Sequence, residues 1–422
     1  MSEFSSVSMK IIPNPRTIVQ QFAVLLPEIC ALKLNIDRNK VKFYDLYICC
    51  KSQIHRISVC FPEQSWKAKP PGTFILHVEY SRQTQRRTRS RSMTLKIAIL
   101  PPAGARQRVL AEKHLEQLRA WGEVVCNEAG SNAPDAIRST IEGADIAISS
   151  WGTPSLDAGI LEAAPGLKAV IHAAGTVKPI VTPELWSKGI RVSSANGPLG
   201  KGVAETALGL TITSLKNMWK VSKDTRQGGW GEEKQRVREL FDVTIGVIGA
   251  GKAGKHYIKL MQNFDVTVLL ADPFVSPEQA AAIGATKVEL EELLNRSDVV
   301  SIHAPSLPST YKMINSERLS QMKDNAILIN TARGSIIDEP ALIEELKKER
   351  IFACIDVTDP EPPEADHPFR SLNNCVLTSH IAGSVTNGLY RIGKYAVQEI
   401  ELLLGGKRMD GEVEEKDMAF LA

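Results

Sequence analysis

The run Gly249-Ala250-Gly251-Lys252-Ala253-Gly254 follows an apolar stretch, Val243 to Ile248, and opens a segment of helical period, Lys252 to Gln262. In that setting each glycine has its own task. The first permits a tight turn, the second lets the backbone approach a pyrophosphate, and the third lets helix and strand pack closely. The helix start then offers unpaired N–H groups and a partial positive charge to the phosphates. Asp272 ends the next apolar stretch, 23 residues after Gly249, where a carboxylate accepts from the adenosine ribose hydroxyls. No Lys or Arg occurs from Pro273 to Thr286 to receive a 2′-phosphate, so NAD is the expected cofactor rather than NADP. Arg333, Glu361 and His380 each come just after another apolar stretch. In open α/β sheets ligands bind beyond the carboxyl ends of the strands, so all three are expected at the nicotinamide end of one crevice.

The elements that hold these residues alternate. Strands are expected over 96–100, 123–126, 146–149, 167–172 and 190–193, and helices over 106–121 and 136–142. A long helix is expected from about Val203 into the 220s, stopped by Gly228-Gly229. From Val243 the alternation restarts, with strands over 243–248, 266–271, 299–303, 326–330, 352–357 and 376–378. Helices are expected between them over 252–262, 290–295 and 340–348, and a last one over 387–404. Such alternation predicts parallel sheets with helical crossovers. Gly143-Ala144-Asp145-Ile146 and Arg296-Ser297-Asp298-Val299 stand at matching places, which points to two related α/β units. The expected fold class is α/β, with two Rossmann-like or flavodoxin-like parallel-sheet domains and the active-site cleft between them.

Composition narrows the alternatives. Of 422 residues, 43% are hydrophobic and 23% charged, as in an ordinary globular chain. No apolar run approaches the ~18 residues that a membrane span needs. Residues 1–92 carry 15 Lys+Arg against 6 Asp+Glu, whereas 93–422 carry 36 against 42. A nucleic-acid partner would therefore have to rest on the first segment, with its run Arg86-Arg87-Thr88-Arg89-Ser90-Arg91; the bland reading, a solvated linker, is preferred. The seven cysteines are odd in number and irregular in spacing, as expected of reduced thiols in a cytoplasmic protein. The basic extension also leaves mitochondrial or nuclear placement open. No metal-ligand cluster stands out.

Five ordered segments together resemble the D-isomer-specific 2-hydroxyacid dehydrogenases, the phosphoglycerate dehydrogenases among them, over residues 93–422. They are Gly246 to Gly254, Ser297 to His303, Asn330-Thr331-Ala332-Arg333-Gly334 with Ile337-Asp338, Asp356-Val357 with Glu361-Pro362, and His380-Ile381-Ala382-Gly383. The resemblance implies that Arg333 holds the substrate carboxylate and that His380, paired with Glu361, is the general acid/base. It further implies that Gly249, Gly251, Lys252, Ala253, Gly254, Asp272, Ala304, Thr331, Ala332, Asp356 and Thr176 line the cofactor, and that Ala174, Gly175 and Thr176 form a substrate loop. The implied reaction is hydride transfer between nicotinamide and a D-2-hydroxy or 2-keto acid, in a homodimer. It needs a proton donor, which a histidine titrating near neutral pH supplies, and a cation whose planar fork suits a carboxylate.

The same resemblance implies three domains: a basic extension over 1–92 that is not expected to fold as a domain, a substrate-binding lid over 93–203 plus 384–422, and an NAD-binding domain over 204–383. The extension has no counterpart in the family, and a chain starting at Met93 is expected to express solubly and keep cofactor binding; loss of either would give the extension a structural role. Members often carry Ala-Gly-Thr-Gly-x-Asp in the lid loop, but here Val177 and Pro179 replace the later glycine and the aspartate. The loop is therefore expected to shift substrate preference; Lys178 is read either as a cation beside the site or as a solvated loop residue, and His172 is a candidate substrate contact. His256 and His303 are expected to be structural. A rival reading is a non-enzymatic NAD(H)-sensing protein of the C-terminal-binding-protein corepressor type, which the basic arm would suit.

Overall fold

The computed structural model of this chain describes residues 95–421 and five strands within the segment before them. Contacts divide the chain into two units, Met1–Ser92 and Met93–Ala422. In the first unit, Ala31–Asn35, Phe43–Cys50 and Gln53–Cys60 form an antiparallel sheet, and Val7–Ser8 pairs with Ile75–Leu76. The rest of 1–92, with its basic run, lies outside the described residues, and so do the expectations placed on it.

The second unit holds two sheets. The first contains β1 (Lys96–Pro102), β2 (Glu123–Asn127), β3 (Ile146–Ser149), β4 (Ala169–His172) and β5 (Arg191–Ser194) in the order β2-β1-β3-β4-β5, all parallel. The second contains β6 (Phe241–Ile248), β7 (Asp265–Ala271), β8 (Thr286–Lys287), β9 (Val299–Ile302), β10 (Ile327–Asn330), β11 (Phe352–Ile355) and β12 (Cys375–Leu377). Its order is β8-β7-β6-β9-β10-β11-β12, again all parallel. The first order is flavodoxin-like and the second Rossmann-like. Strands β3, β4, β9 and β10 are buried along their whole length, because crossover helices cover both faces of a parallel sheet. Their Val, Ile and Leu side chains are therefore apolar without alternation, and each fully buried one stabilises the fold by roughly 1.5–3 kcal/mol.

Three longer helices orient the sheets toward one cleft: α1 (Asn196–Leu215), α2 (Lys252–Met261) and α3 (Asn387–Leu404). The helix α2 buries Tyr257, Ile258 and Met261 against the second sheet, which aims its N-terminus at the carboxyl end of β6. Helix α1 lies across α2 so closely that a Cβ at Gly200 would stand 2.9 Å from the Ala253 nitrogen. Helix α3 returns to the first sheet, where Leu389, Ile392, Ala396 and Ile400 share a core with Ile97 and Ile99. Two expected helices are interrupted. The one over 106–121 is split into Ala103–Val109 and Glu112–Trp121, since Val109 and Leu110 both turn into the core. The long one ends at Leu215, and a second helix, Met218–Arg226, starts after Asn217 at φ 51°. Two strands were not foreseen: β8 extends the second sheet beside β7, and β13 (Glu412–Val413) adds antiparallel to the edge of β5. Among the described residues no helix is long and apolar enough to cross a membrane.

Candidate active site and cofactor cleft

The strand order of the second sheet reverses between β6 and β9, and the glycine fingerprint sits at that switch point. Gly249 has φ 91°, a conformation open to glycine but costly for other residues, and a Cβ there would lie 2.8 Å from the Ala304 backbone. At Gly254 a Cβ would meet the Gly249 carbonyl oxygen at 2.0 Å, so this glycine serves helix–strand packing and does not line the cleft. Around Gly251, by contrast, nothing lies within 4 Å of the added Cβ. That open face at the start of α2 is what a pyrophosphate needs. The residues thus fit a dinucleotide, whose chemistry when bound is hydride exchange at the nicotinamide.

A cavity of about 960 Å³ extends from the fingerprint past Asp272, Phe274, Leu290 and Pro305. Asp272 Oδ2 accepts from the Ala250 N–H at 2.7 Å and Oδ1 from the Phe274 N–H at 2.8 Å, which fixes the carboxylate at the rim with lone pairs to spare. The cations absent from 273–286 arrive from elsewhere: Lys255 and Lys287 also border this cavity. The Lys287 ammonium is engaged by the Val275 carbonyl at 2.6 Å. Asp272 is therefore expected to set the cofactor preference. The wild-type chain should bind NADH at least about tenfold more tightly than NADPH, and Asp272→Ser should narrow the gap mainly by weakening NADH. Equal affinities for both in the wild type would refute this.

The adjoining cavity, about 550 Å³, is lined by Gly175, Thr176, Lys252, Ala253, Ala304, Thr331, Ala332, Arg333 and His380. Arg333 follows a turn folded by Asn330, whose side chain accepts from the Ala332 N–H at 3.0 Å and donates to the Arg333 carbonyl at 2.9 Å. The guanidinium commits one donor to the Ala332 carbonyl at 2.7 Å and keeps the others. His380 Nδ1 is 2.6 Å from Glu361 Oε1, the two expected partners meeting across 19 residues. A carboxylate only accepts, so Nδ1 carries the hydrogen and Nε2 is left for a ligand.

His380 has φ 53°, which is strained for a side chain of this size. The strain is held by Asp356. Its carbonyl accepts the His380 N–H at 2.9 Å, and its carboxylate accepts from Thr378 Oγ1, Ile381 N and Ala382 N at 2.6, 2.9 and 2.8 Å. Asp356 is buried and does not line the cleft, because every one of those bonds turns it toward the histidine loop. Three buried polar atoms at the cleft, Thr331 Oγ1, His303 Nδ1 and Ser384 Oγ, have no hydrogen-bond partner among the described residues. Unsatisfied groups of that kind are costly unless a ligand meets them.

Several expectations fall away from the cleft. Ala174 is buried, its carbonyl taken by the Ala195 N–H at 3.0 Å. Val177 is buried in the first-sheet core, and Lys178 is exposed and outside the lining, so the cation foreseen there does not reach the site. His172 is buried against Ser149 Oγ at 2.9 Å, and burial holds its pKa down to about 4; it does not touch the cavity. His303 is held at about 4 by the same cause. Arg108, Trp151 and Asn196 line the cleft without having been foreseen, since nothing local marks them. Among the described residues no group of three His, Cys, Asp or Glu side chains is placed to hold a metal.

A dinucleotide crevice at a switch point, faced by a second parallel sheet that brings its own loop to the same opening, defines a two-lobed dinucleotide-binding α/β protein. Sequence comparison carries this further. The model of the D-isomer specific 2-hydroxyacid dehydrogenase NAD-binding domain matches residues 208–382. A glyoxylate reductase of Thermofilum pendens is 33% identical over 308 residues, 71% of this chain and 91% of that protein. A D-3-phosphoglycerate dehydrogenase of Archaeoglobus fulgidus is 32% identical over 292 residues, 69% of this chain; the chain spans only 55% of its length. A solved structure from Thermus thermophilus, 30% identical, superposes with a TM-score of 0.61 over 76% of this chain and 100% of that one. This chain belongs to the D-isomer-specific 2-hydroxyacid dehydrogenase family, and the cofactor of its nucleotide-binding domain is NAD.

Proposed function

We propose that this protein is an NAD-dependent oxidoreductase that interconverts a D-2-hydroxy acid and its 2-keto acid. The observation that carries the reading is the 2.6 Å contact between His380 Nδ1 and Glu361 Oε1 beside a cleft shared by His380, Arg333 and Gly251. Nicotinamide supplies or takes the hydride; the chain supplies the rest. Arg333 holds the substrate carboxylate with its free donors, opposite the backbone of Gly175 and Thr176. In the direction of reduction the imidazolium form of His380 delivers its Nε2 proton to the oxygen that becomes the hydroxyl, leaving the neutral ring with its hydrogen on Nδ1. In the reverse direction that Nε2 takes the proton back, and Glu361 keeps the ring oriented through Nδ1. Asp356 acts one layer behind, through the loop it ties. The lid over 93–203 plus 384–422 and the nucleotide domain over 204–383 close on the substrate and exclude water, and a homodimer belongs to the same reading. The corepressor alternative draws on the basic arm in 1–92, whereas the His380–Glu361 pairing beside the cleft favours an enzyme. The test is loss of NADH absorbance with a panel containing glyoxylate, pyruvate, hydroxypyruvate and a phosphorylated 2-keto acid. Turnover of at least one is expected; NADH binding with no turnover of any would favour the sensing protein.

A further inference from the structure

The last described residues leave the first sheet and end at the cofactor cleft. Their root is firmly fixed. Arg191 reaches Glu412 through two bonds of 2.7 Å, and buried Glu399 of α3 accepts from the N–H groups of Asp410 and Gly411 at 2.9 Å each. Beyond β13 a 3₁₀ turn, Glu415–Ala419, carries the chain to Phe420. There the Phe420 ring meets Phe274 edge-on, centroids 5.0 Å apart at 67°. Phe274 stands two residues after Asp272, and its N–H is the one bonded to the Asp272 carboxylate. An aromatic side chain rooted on the first sheet thus continues a wall begun by the second. Phe420 borders both the fingerprint cavity and the adjoining one that holds Arg333 and His380.

Two features separate a wall from a plug. With Phe420 in place the cavity beside Asp272 keeps about 960 Å³, ample for an adenosine by the usual scale of about 300–1,000 Å³ for small-molecule sites. Both rings also keep more than half their surface in water, 68% for Phe274 and 54% for Phe420, and paired apolar rings at the mouth of a polar cleft are a surface for a ligand to cover.

We infer that Phe420 is a nucleotide-binding residue: with Phe274 it packs against the adenosine half of bound NAD, so that cofactor binding ties the strap 412–421, and the lobe that roots it, to the nucleotide domain. This rests on the dinucleotide reading of the cleft and not on the identity of the hydroxy acid.

The experiment is titration of the full chain with NADH, read by the cofactor's fluorescence, for wild type, Phe420→Ala, Phe274→Ala and the double variant. Reduced nicotinamide mononucleotide, which lacks the adenosine half, is the second probe. Each single variant should weaken NADH about three- to tenfold, the scale of one aromatic contact. The double variant should fall short of the product of the two, because the rings share one wall. Affinity for the mononucleotide should not change, and Phe420→Tyr should restore NADH binding. Unchanged or tighter NADH binding in Phe420→Ala, or equal losses for both probes, would overturn the inference. Should Phe420→Ala fold poorly, Phe420→Leu is read in the same way. A wild-type chain that binds NADH but reduces no 2-keto acid would end the oxidoreductase reading and leave this test in force.

Discussion

Replacing His380 by Ala is expected to lower kcat by about 10²–10⁴ while NADH affinity stays near that of the wild type. The side chain meets Glu361 through Nδ1 and lines the cleft, so on the proposed reading its loss removes the proton donor without opening the phosphate cradle around Gly251. Glu361→Gln should cost less than His380→Ala, since an amide oxygen still accepts from Nδ1 although the charge is gone. Arg333→Ala should fail by a second route, raising KM as well as lowering kcat, because it takes away a carboxylate partner bound already in the ground state. Arg333→Lys should recover only part of the loss, a point charge replacing a fork. Steady-state kinetics on whichever 2-keto acid is turned over, with NADH titration alongside, decides the matter. Near-wild-type turnover in either alanine variant would remove that residue from the chemistry.

What was legible in the sequence follows the length over which each force acts. Short buried strands such as Val299–Ile302 and Ile327–Asn330, each with three apolar residues of four, declare themselves because a sheet covered on both faces asks for apolar side chains on both. Helix α3 was legible at both ends, its apolar stripe facing one core from Leu389 to Ile400. Arg333 and His380 were legible as polar residues past strand ends, where the topology forces ligands to bind. The rest depends on partners far away in the chain. Strand β13 is two residues long and has no pattern of its own; it exists because Arg191 holds Glu412 across 221 residues. Asp356 reads as a strand-end carboxylate that faces a cofactor, and only the path of 378–382 shows that its oxygens are committed to the histidine loop. Val177 looked like a departure in a substrate loop because sequence shows the missing glycine but not the core that receives the side chain.

The chain is also expected to lose stability steeply below about pH 6.5, and buried histidines are the reason. His172 and His303 sit at about 4 in the folded state against 6.5 when free, in both cases because burial penalises the charged ring. In His172 a backbone bond to Thr176 offsets a part of that penalty. Between those values the unfolded chain binds a proton that the folded chain refuses, so stability rises with pH through this window and is fully present above it. Each ring accounts for about 3 kcal/mol, and the pair together are comparable with a large part of the ~5–15 kcal/mol that holds a domain folded. Burial also lowers His114 and His256, which adds in the same direction. Glu339 works against them. Its carboxyl is raised by burial, so the folded chain holds that proton longer than the unfolded one and gains slightly on acidification. The histidines outweigh one carboxyl. Denaturant unfolding at pH 7 and pH 5 should therefore show a large fall in midpoint for the wild type, and a smaller fall for His172→Asn and for His303→Asn. The slope against pH is the readout, since either variant also changes stability at neutral pH through packing. Parallel curves for wild type and both variants would mean that the two rings are protonated in the folded chain, and His303 would then bring a positive charge to the cleft where its unpartnered nitrogen now lies.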